Sequence, residues 1–280
     1  MTIEHGRLKE ITSASNPIIK DIKLLEKKRH RDETNRFIAE GMKLIIDAVE
    51  AGWQLVTLIH AKTASDNDLV KTLAERTMAA GSDVLVVPEK VLGAITRRDN
   101  PQMVVGVFAK RMADAKQIVP TGNDVWIALD RVRDPGNLGT IMRTADAAGA
   151  KGVILVGETT DPFATETVRA TMGSIFAMPV ARMGTDEFIG FAKAWPGHVV
   201  GTHLAGAVDY RTPDYASKPT LLIMGNEQAG MPDALVACCS HLVKIPQVGK
   251  ADSLNLAIAT ALCLYEVRRK ALTFDGVADG

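Results

Sequence analysis

Five polar side chains sit where apolar runs of this chain break off. The run Val125–Leu129 stops at a charged turn that contains Pro135 and Gly136, with Asn137 on that turn and Arg143 inside the helix that follows. Glu227 follows the apolar run ending at Met224, with Gly225 and Gly230 on either side. Ser253 and Asn255 open the apolar segment that comes after Ile245-Pro246. Asn137 offers a hydrogen-bond donor and an acceptor at once. Glu227 can pair with Arg143 or hold its own loop by accepting backbone N–H groups. The two glycines permit the turns and close approach that a ligand-cradling loop needs. Each polar residue also has a purely structural alternative: Asn137, Ser253 and Asn255 as helix caps, Arg143 as a surface residue paired with Asp146 at i+3, and Glu227 as a solvated loop glutamate. The lone His203 reads as a loop or core histidine.

A strand feeding a glycine-containing loop and a helix is a common ligand-binding unit of α/β folds. This loop is not Gly-x-Gly-x-x-Gly and has no Gly-Lys-Ser/Thr, so the two standard phosphate cradles are missing. Strands are expected at Val125–Asp130, Gly152–Val156, Met178–Ala181, His198–Leu204, Thr220–Gly225 and His241–Ile245. Helices fill the intervals, and a long one closes the chain from Ser253 to about Leu272. Continuous apolar runs of this kind predict a mostly parallel sheet covered on both faces.

Ahead of it the pattern alternates: a basic helix near Pro17–Arg31, strand Arg36–Glu40, helix Met42–Ala51, strand Leu55–His60, and helix Asp66–Ala80. Strand Val84–Val87, a short helix near Glu89–Ile95 and strand Met103–Ala109 complete it. This predicts a small α/β sandwich. The polar stretch Ala113–Asn123 reads as a linker, giving domains at 1–112 and 124–280.

The 280 residues balance 33 lysines and arginines against 33 aspartates and glutamates. Any nucleic-acid role must therefore rest on a local basic patch. Three cysteines, two of them adjacent (Cys238, Cys239), fit neither a disulfide framework nor a metal site, and read as idle thiols of a reducing cytosol. No stretch reaches the roughly 18 apolar residues of a membrane span, and the opening MTIEHGRLKE lacks the pattern of a secretory signal. A cytoplasmic protein without a membrane partner is expected.

Three segments resemble, in order, the motifs of the SpoU/TrmH class of SPOUT methyltransferases. They are Asp134-Pro-Gly-Asn137-Leu-Gly139 with Arg143, Leu222-Ile-Met-Gly225-Asn-Glu227-Gln-Ala-Gly230-Met, and Ile245-Pro246 followed by Ser253-Leu254-Asn255-Leu-Ala-Ile-Ala. The resemblance spans residues 125–269. It implies transfer of a methyl group from S-adenosylmethionine to a ribose 2′-hydroxyl of RNA, with no metal, in a homodimer. It also implies a sheet whose C-terminal part is threaded into a trefoil knot. Arg143 is assigned to the hydroxyl; because an arginine side chain holds its proton so tightly, positioning and charge stabilisation are favoured over base catalysis. Asn137 organises the site around it, and Glu227, Ser253 and Asn255 complete the catalytic set. Cofactor contacts carry over to Gly225, Asn226, Gly230, Ile245 and Leu254, with Thr202 and Leu204 as a further wall.

In the first third, Ser15-Asn-Pro-x-Ile-Lys20 and Phe37-Ile-Ala-Glu40-Gly41 resemble an accessory RNA-binding domain often found upstream in this class. Lys20, Lys23, Lys27, Lys28, Arg29 and Arg31 crowd one segment, opposed there by Asp21 and Glu26. That density suits RNA phosphates and equally suits a solvated helix face. Arg97-Arg98 extend the patch, and Arg169 is a further phosphate contact. With few aromatics here, shape and phosphate contacts are expected to outweigh base stacking. Large-subunit ribosomal RNA is the expected substrate and transfer RNA the alternative. A non-catalytic RNA-binding assembly protein of the same fold is the rival from another class, disfavoured by the presence of both Asn137 and Arg143.

Overall fold

The computed structural model describes residues 6–203 and 207–272. It comprises two compact units, one of residues 1–111 with 163–176, the other of 112–162 with 177–280.

In the first unit β1 (Leu8–Glu10), β2 (Arg36–Glu40), β3 (Leu55–Ala61), β4 (Asp83–Val87) and β5 (Val104–Ala109) form one sheet, in the order β1-β4-β3-β5-β2. β4 pairs parallel with β1 and β3, whereas β5 pairs antiparallel with β3 and β2. Successive strand residues point to opposite faces, and both faces are buried. Ile38, Ile59, Leu85 and Val107 join one cluster with Ile19, Ile22, Val91 and Leu92 of flanking helices. Phe37 and Phe108 instead meet Phe176, and Phe37 also packs on Trp53 and Phe163. Residues 163–176 thus belong to this unit although they follow strands of the other in sequence. Trp53 Nε1 donates to the Phe176 carbonyl at 2.8 Å.

The basic helix expected over Pro17–Arg31 is two helices, Pro17–Leu24 and Lys28–Thr34. Arg31 explains the break. Its side chain is buried, and Nη1 donates to the carbonyls of Leu25 at 2.9 Å and Glu26 at 2.6 Å, in the turn between the helices. Arg31 therefore holds the turn together and does not belong among the RNA contacts.

The second unit contains β6 (Val125–Asp130), β7 (Gly152–Val156), β8 (Val180–Met183), β9 (His198–Thr202), β10 (Val208–Asp209), β11 (Thr220–Met224) and β12 (His241–Lys244). Their order is β10-β12-β9-β11-β6-β7-β8, with every described pairing parallel. β6, β7 and β11 are buried along their whole length, as apolar runs between two covered faces must be. The strand expected at Met178–Ala181 starts instead at Val180, after Pro179, which has no N–H for a ladder. The closing helix runs Leu256–Arg268 and starts later than expected because Asn255 caps it. The stretch 113–123 packs on this unit: Ala113, Ala115 and Ile118 touch its core, and the Ala113 N–H donates to the Val180 carbonyl at 2.8 Å. Among the described residues, no helix is long and apolar enough to cross a membrane.

Candidate functional site

β6 and β11 are neighbours, with Met224 opposite Leu129, and the loops beyond their carboxyl ends meet. Past β6 the chain turns through Arg131, which is left-handed at φ 48°. Its guanidinium grips the buried Asp130 carboxylate, with Nε 3.0 Å from both oxygens and Nη2 2.7 Å from Oδ2. Asp134 then caps the Pro135–Ala147 helix by accepting the Asn137 N–H. Pro135 at the first helical position loses nothing by having no N–H. Asn137 consequently lies in the first turn of the helix, not on the loop before it.

Past β11, Gly225 is held so close to the returning chain that a Cβ there would lie 2.6 Å from Met231 N and 2.7 Å from Gly230 C. Asn226 and Gly230 exchange backbone hydrogen bonds of 3.1 and 3.0 Å, with Gly230 at φ 66°. The Asn226 Oδ1 accepts the N–H groups of Gln228 and Ala229, both at 3.0 Å, and its Nδ2 donates to the Arg131 carbonyl at 2.8 Å. That last bond stitches the two loops together.

A chain of amides crosses the site. Asn255 Oδ1 accepts from Ala257 N and Ile258 N, so its Nδ2 faces away and donates to Asn137 Oδ1 at 2.9 Å. Asn137 Nδ2 must then face Glu227, and it donates to Oε1 at 3.5 Å. Asn226 Nδ2 reaches Oε2 at 3.4 Å. Both Glu227 oxygens are therefore presented as acceptors to amides, not to Arg143 or to backbone N–H groups as the sequence led us to expect. Asn137, Glu227 and Asn255 line a cleft of about 350 Å³ together with Arg133, Asp134, Asn226 and Gln228. Arg133 and Gln228 escaped sequence reasoning; the only signal for Arg133 was its place in the charged turn.

Arg143 and Ser253 are not among the residues lining this cleft. Arg143 is exposed and makes no hydrogen bond or ion pair with a described residue, Asp146 included. Six residues past Asn137, it lies about 120° away around the helix. Ser253 is exposed just ahead of the Asn255 cap.

The expected cofactor contacts gather at the ends of three adjacent strands. Thr202 ends β9, Gly225 follows β11 and Ile245 follows β12, with Thr202 opposite Val243 and Gly201 opposite Ile223. This is the carboxyl edge of an open parallel sheet near the reversal of strand order, where such folds bind ligands. The residues fit S-adenosylmethionine: Gly225 leaves its backbone bare, and half-buried Ile245 and Leu254 offer apolar surface for an adenine. The polar groups of Asn226 and Gly230, also expected to contact the cofactor, bond each other and the neighbouring loop. Leu204 lies outside the described residues.

In the first unit, Lys20, Lys23 and Lys27 are exposed and form no ion pair with a described residue. Lys28 pairs with Asp32 at 2.6 Å and Arg29 with Glu33 at 2.7 Å. Asp32 also accepts from Lys110 at 2.6 Å, and these two ammonium groups hold its carboxyl down at about 2. Arg97 pairs with Glu26, and Arg98 approaches Glu40 at 3.6 Å. The phosphate role expected for Arg169 is corrected: its guanidinium clamps the buried Glu40 carboxylate and donates to the Thr96 carbonyl at 2.6 Å. The free basic surface is narrower than the sequence implied.

Residues 124–265 match the SpoU rRNA Methylase family, and residues 16–106 match the MRM3-like substrate binding domain. The chain is 34% identical over 265 residues to the 23S rRNA (guanosine(2553)-2′-O)-methyltransferase RlmP of Bacillus subtilis, covering 93% of this chain and 100% of that protein. It is 33% identical over 262 residues to the 23S rRNA (uridine(2479)-2′-O)-methyltransferase of Streptomyces viridochromogenes, covering 89% and 88%. Among solved structures, the AdoMet-bound rRNA methyltransferase from Sinorhizobium meliloti is similar with a TM-score of 0.91 and 58% identity, over 95% of this chain and 99% of that one. AdoMet is S-adenosylmethionine. The chain belongs to the SpoU rRNA methylase family and is an S-adenosylmethionine-dependent RNA 2′-O-methyltransferase.

Proposed function

We propose that this chain methylates a ribose 2′-hydroxyl of large-subunit ribosomal RNA. The observation that carries the reading is the Asn255–Asn137–Glu227 chain at the ends of β6 and β11, next to the carboxyl ends of β9 and β12. S-adenosylmethionine, when bound, supplies a methyl group on a sulfonium that leaves without acid assistance. Glu227 receives the hydrogen bond of the ribose hydroxyl, and Asn137 and Asn255 orient it. Arg143, unpaired on the helix that carries Asn137, stabilises negative charge developing on the hydroxyl oxygen. Ser253 contacts the RNA. Gly225, Ile245, Leu254 and Thr202 hold the cofactor.

The names of the two relatives, both acting on 23S rRNA, support the substrate. Lys20, Lys23 and Lys27 supply phosphate contacts from a small α/β sandwich within residues 1–112, joined through 113–123 to a methyltransferase domain over 124–280. Exposed Ile258, Leu262 and Tyr265 recur at i, i+4 and i+7 on the closing helix, which supports a homodimer. A trefoil knot in the C-terminal part and a cytoplasmic location, supported by three free cysteines, complete the reading. Mapping 2′-O-methyl marks in total RNA with and without the gene tests it. Loss of one mark in large-subunit ribosomal RNA is expected; a loss confined to transfer RNA overturns the substrate, and no loss overturns the activity.

A further inference from the structure

We propose that Arg133 is the phosphate clamp of this enzyme, binding a phosphodiester that flanks the reacting ribose. The inference rests on the reading above that a ribose enters the cleft of Asn137 and Glu227. That cleft is lined by polar side chains, and among the described residues that line it Arg133 is the one cation, against the carboxylates of Asp134 and Glu227. A nucleotide brings a negative charge on either side of its ribose. Without Arg133 the cleft would repel those charges.

Neither acid neutralises Arg133. Asp134 accepts the Asn137 N–H, and Glu227 accepts the amides of Asn137 and Asn226. Arg133 is exposed and makes no hydrogen bond or ion pair with a described residue, although Asp134 is next to it in sequence. The two nearby arginines differ in this respect. Arg131 is committed to Asp130, and Arg143 does not line the cleft.

The backbone beneath Arg133 is fixed while its side chain is free. Val132 is buried, its carbonyl accepts the Thr160 N–H at 2.8 Å, and the Arg131 carbonyl accepts from Asn226 at 2.8 Å. The residue also stands directly before the N-terminus of the 13-residue Pro135–Ala147 helix, whose positive end adds to the attraction for an anion. A planar guanidinium anchored through its backbone and free at its tip can grip two phosphate oxygens at once.

The test compares full-length wild type with Arg133→Gln and Arg133→Lys on the ribosomal RNA fragment that carries the mapped mark. Arg133→Gln is expected to raise the RNA KM about tenfold while changing kcat less than about threefold, and to lower the slope of log affinity against log salt by about one contact, ~0.7–0.9. Arg133→Lys should recover part of the KM. Thermal stability and S-adenosylmethionine affinity should stay at wild-type values, because the side chain has no partner among the described residues. An unchanged KM and salt slope in an otherwise active enzyme overturns the clamp and leaves the methyl-transfer reading standing. A fall in kcat at constant KM also overturns it. If wild type transfers no methyl group to RNA, the underlying reading fails first.

Discussion

Asn255 Nδ2 donates to Asn137 Oδ1 at 2.9 Å, joining the cap of one helix to the first turn of another across 118 positions of sequence. One asparagine thereby serves two purposes. Its oxygen caps the closing helix, and its nitrogen sets which way the Asn137 amide faces. The orientation of Glu227 is fixed from a distance by the cap of another helix.

Asn255→Asp separates the two purposes. Aspartate caps a helix as well as asparagine does, but it cannot donate to Asn137. The Asn137 amide is then free to turn its nitrogen away from Glu227. We expect kcat to fall about 10²-fold, with the S-adenosylmethionine Kd and thermal midpoint close to wild type. Steady-state kinetics beside a thermal melt decides, and an unchanged kcat would show that the amide relay does not matter.

Arg143→Ala removes a guanidinium that has no partner among the described residues, so stability should be unaffected. If it stabilises charge on the ribose oxygen, methyl transfer should fall by about 10²–10³-fold with cofactor binding nearly intact. Turnover at the wild-type rate would remove Arg143 from the chemistry.

Arg131→Gly sets two effects against each other. Glycine relieves the left-handed backbone, a gain of about 1 kcal/mol, but leaves the Asp130 carboxylate, 1% exposed, without its partner. Stranding a buried charge costs about 3–5 kcal/mol; the Arg131 side chain is itself 36% exposed, which places the loss near the lower end. The net expectation is destabilisation by about 2 kcal/mol, read from urea melts. A variant more stable than wild type would mean that strain outweighs the ion pair.

The basic segment divides by neighbourhood. Replacing Lys20, Lys23 and Lys27 by glutamine should weaken RNA binding and flatten its salt dependence by roughly two to three contacts' worth of slope, without lowering the melting temperature. Arg31→Gln should do the reverse, destabilising the first unit by about 1–3 kcal/mol through two stranded carbonyls while sparing the salt slope. Affinity measured at several salt concentrations, together with melting curves, distinguishes the two sets.

Much of this was legible because burial writes itself into residue type. The strands at Arg36–Glu40 and Gly152–Val156 coincide with the expected bounds, since each is an apolar run ended by charge or glycine. β1 and β10 span only 3 and 2 residues. They form because a neighbour offers backbone partners, which side-chain periodicity does not record. Arg31 and Arg169 were misread for one shared reason. A guanidinium looks solvent-facing in a sequence, and only the fold shows that it meets the Leu25 and Glu26 carbonyls in one case and the Glu40 carboxylate in the other. Asn137, Glu227 and Asn255 were visible as types at strand ends. The direction of the bonds between them was not, because it depends on which atom of Asn255 the closing helix claims.

The placement of Phe163–Phe176 has a consequence for how the protein emerges during synthesis. The first unit draws Phe163 and Phe176 into its aromatic cluster, yet β6 and β7 are translated before either residue. On the ribosome, residues 1–111 can reach only an incomplete core until the chain has passed position 176, with Phe37, Trp53 and Phe108 still short of their neighbours. Domains often fold in turn as they leave the ribosome. Here the first unit must wait for part of the second to be made, and a gene cut after position 111 would yield a first half that lacks part of its own interior.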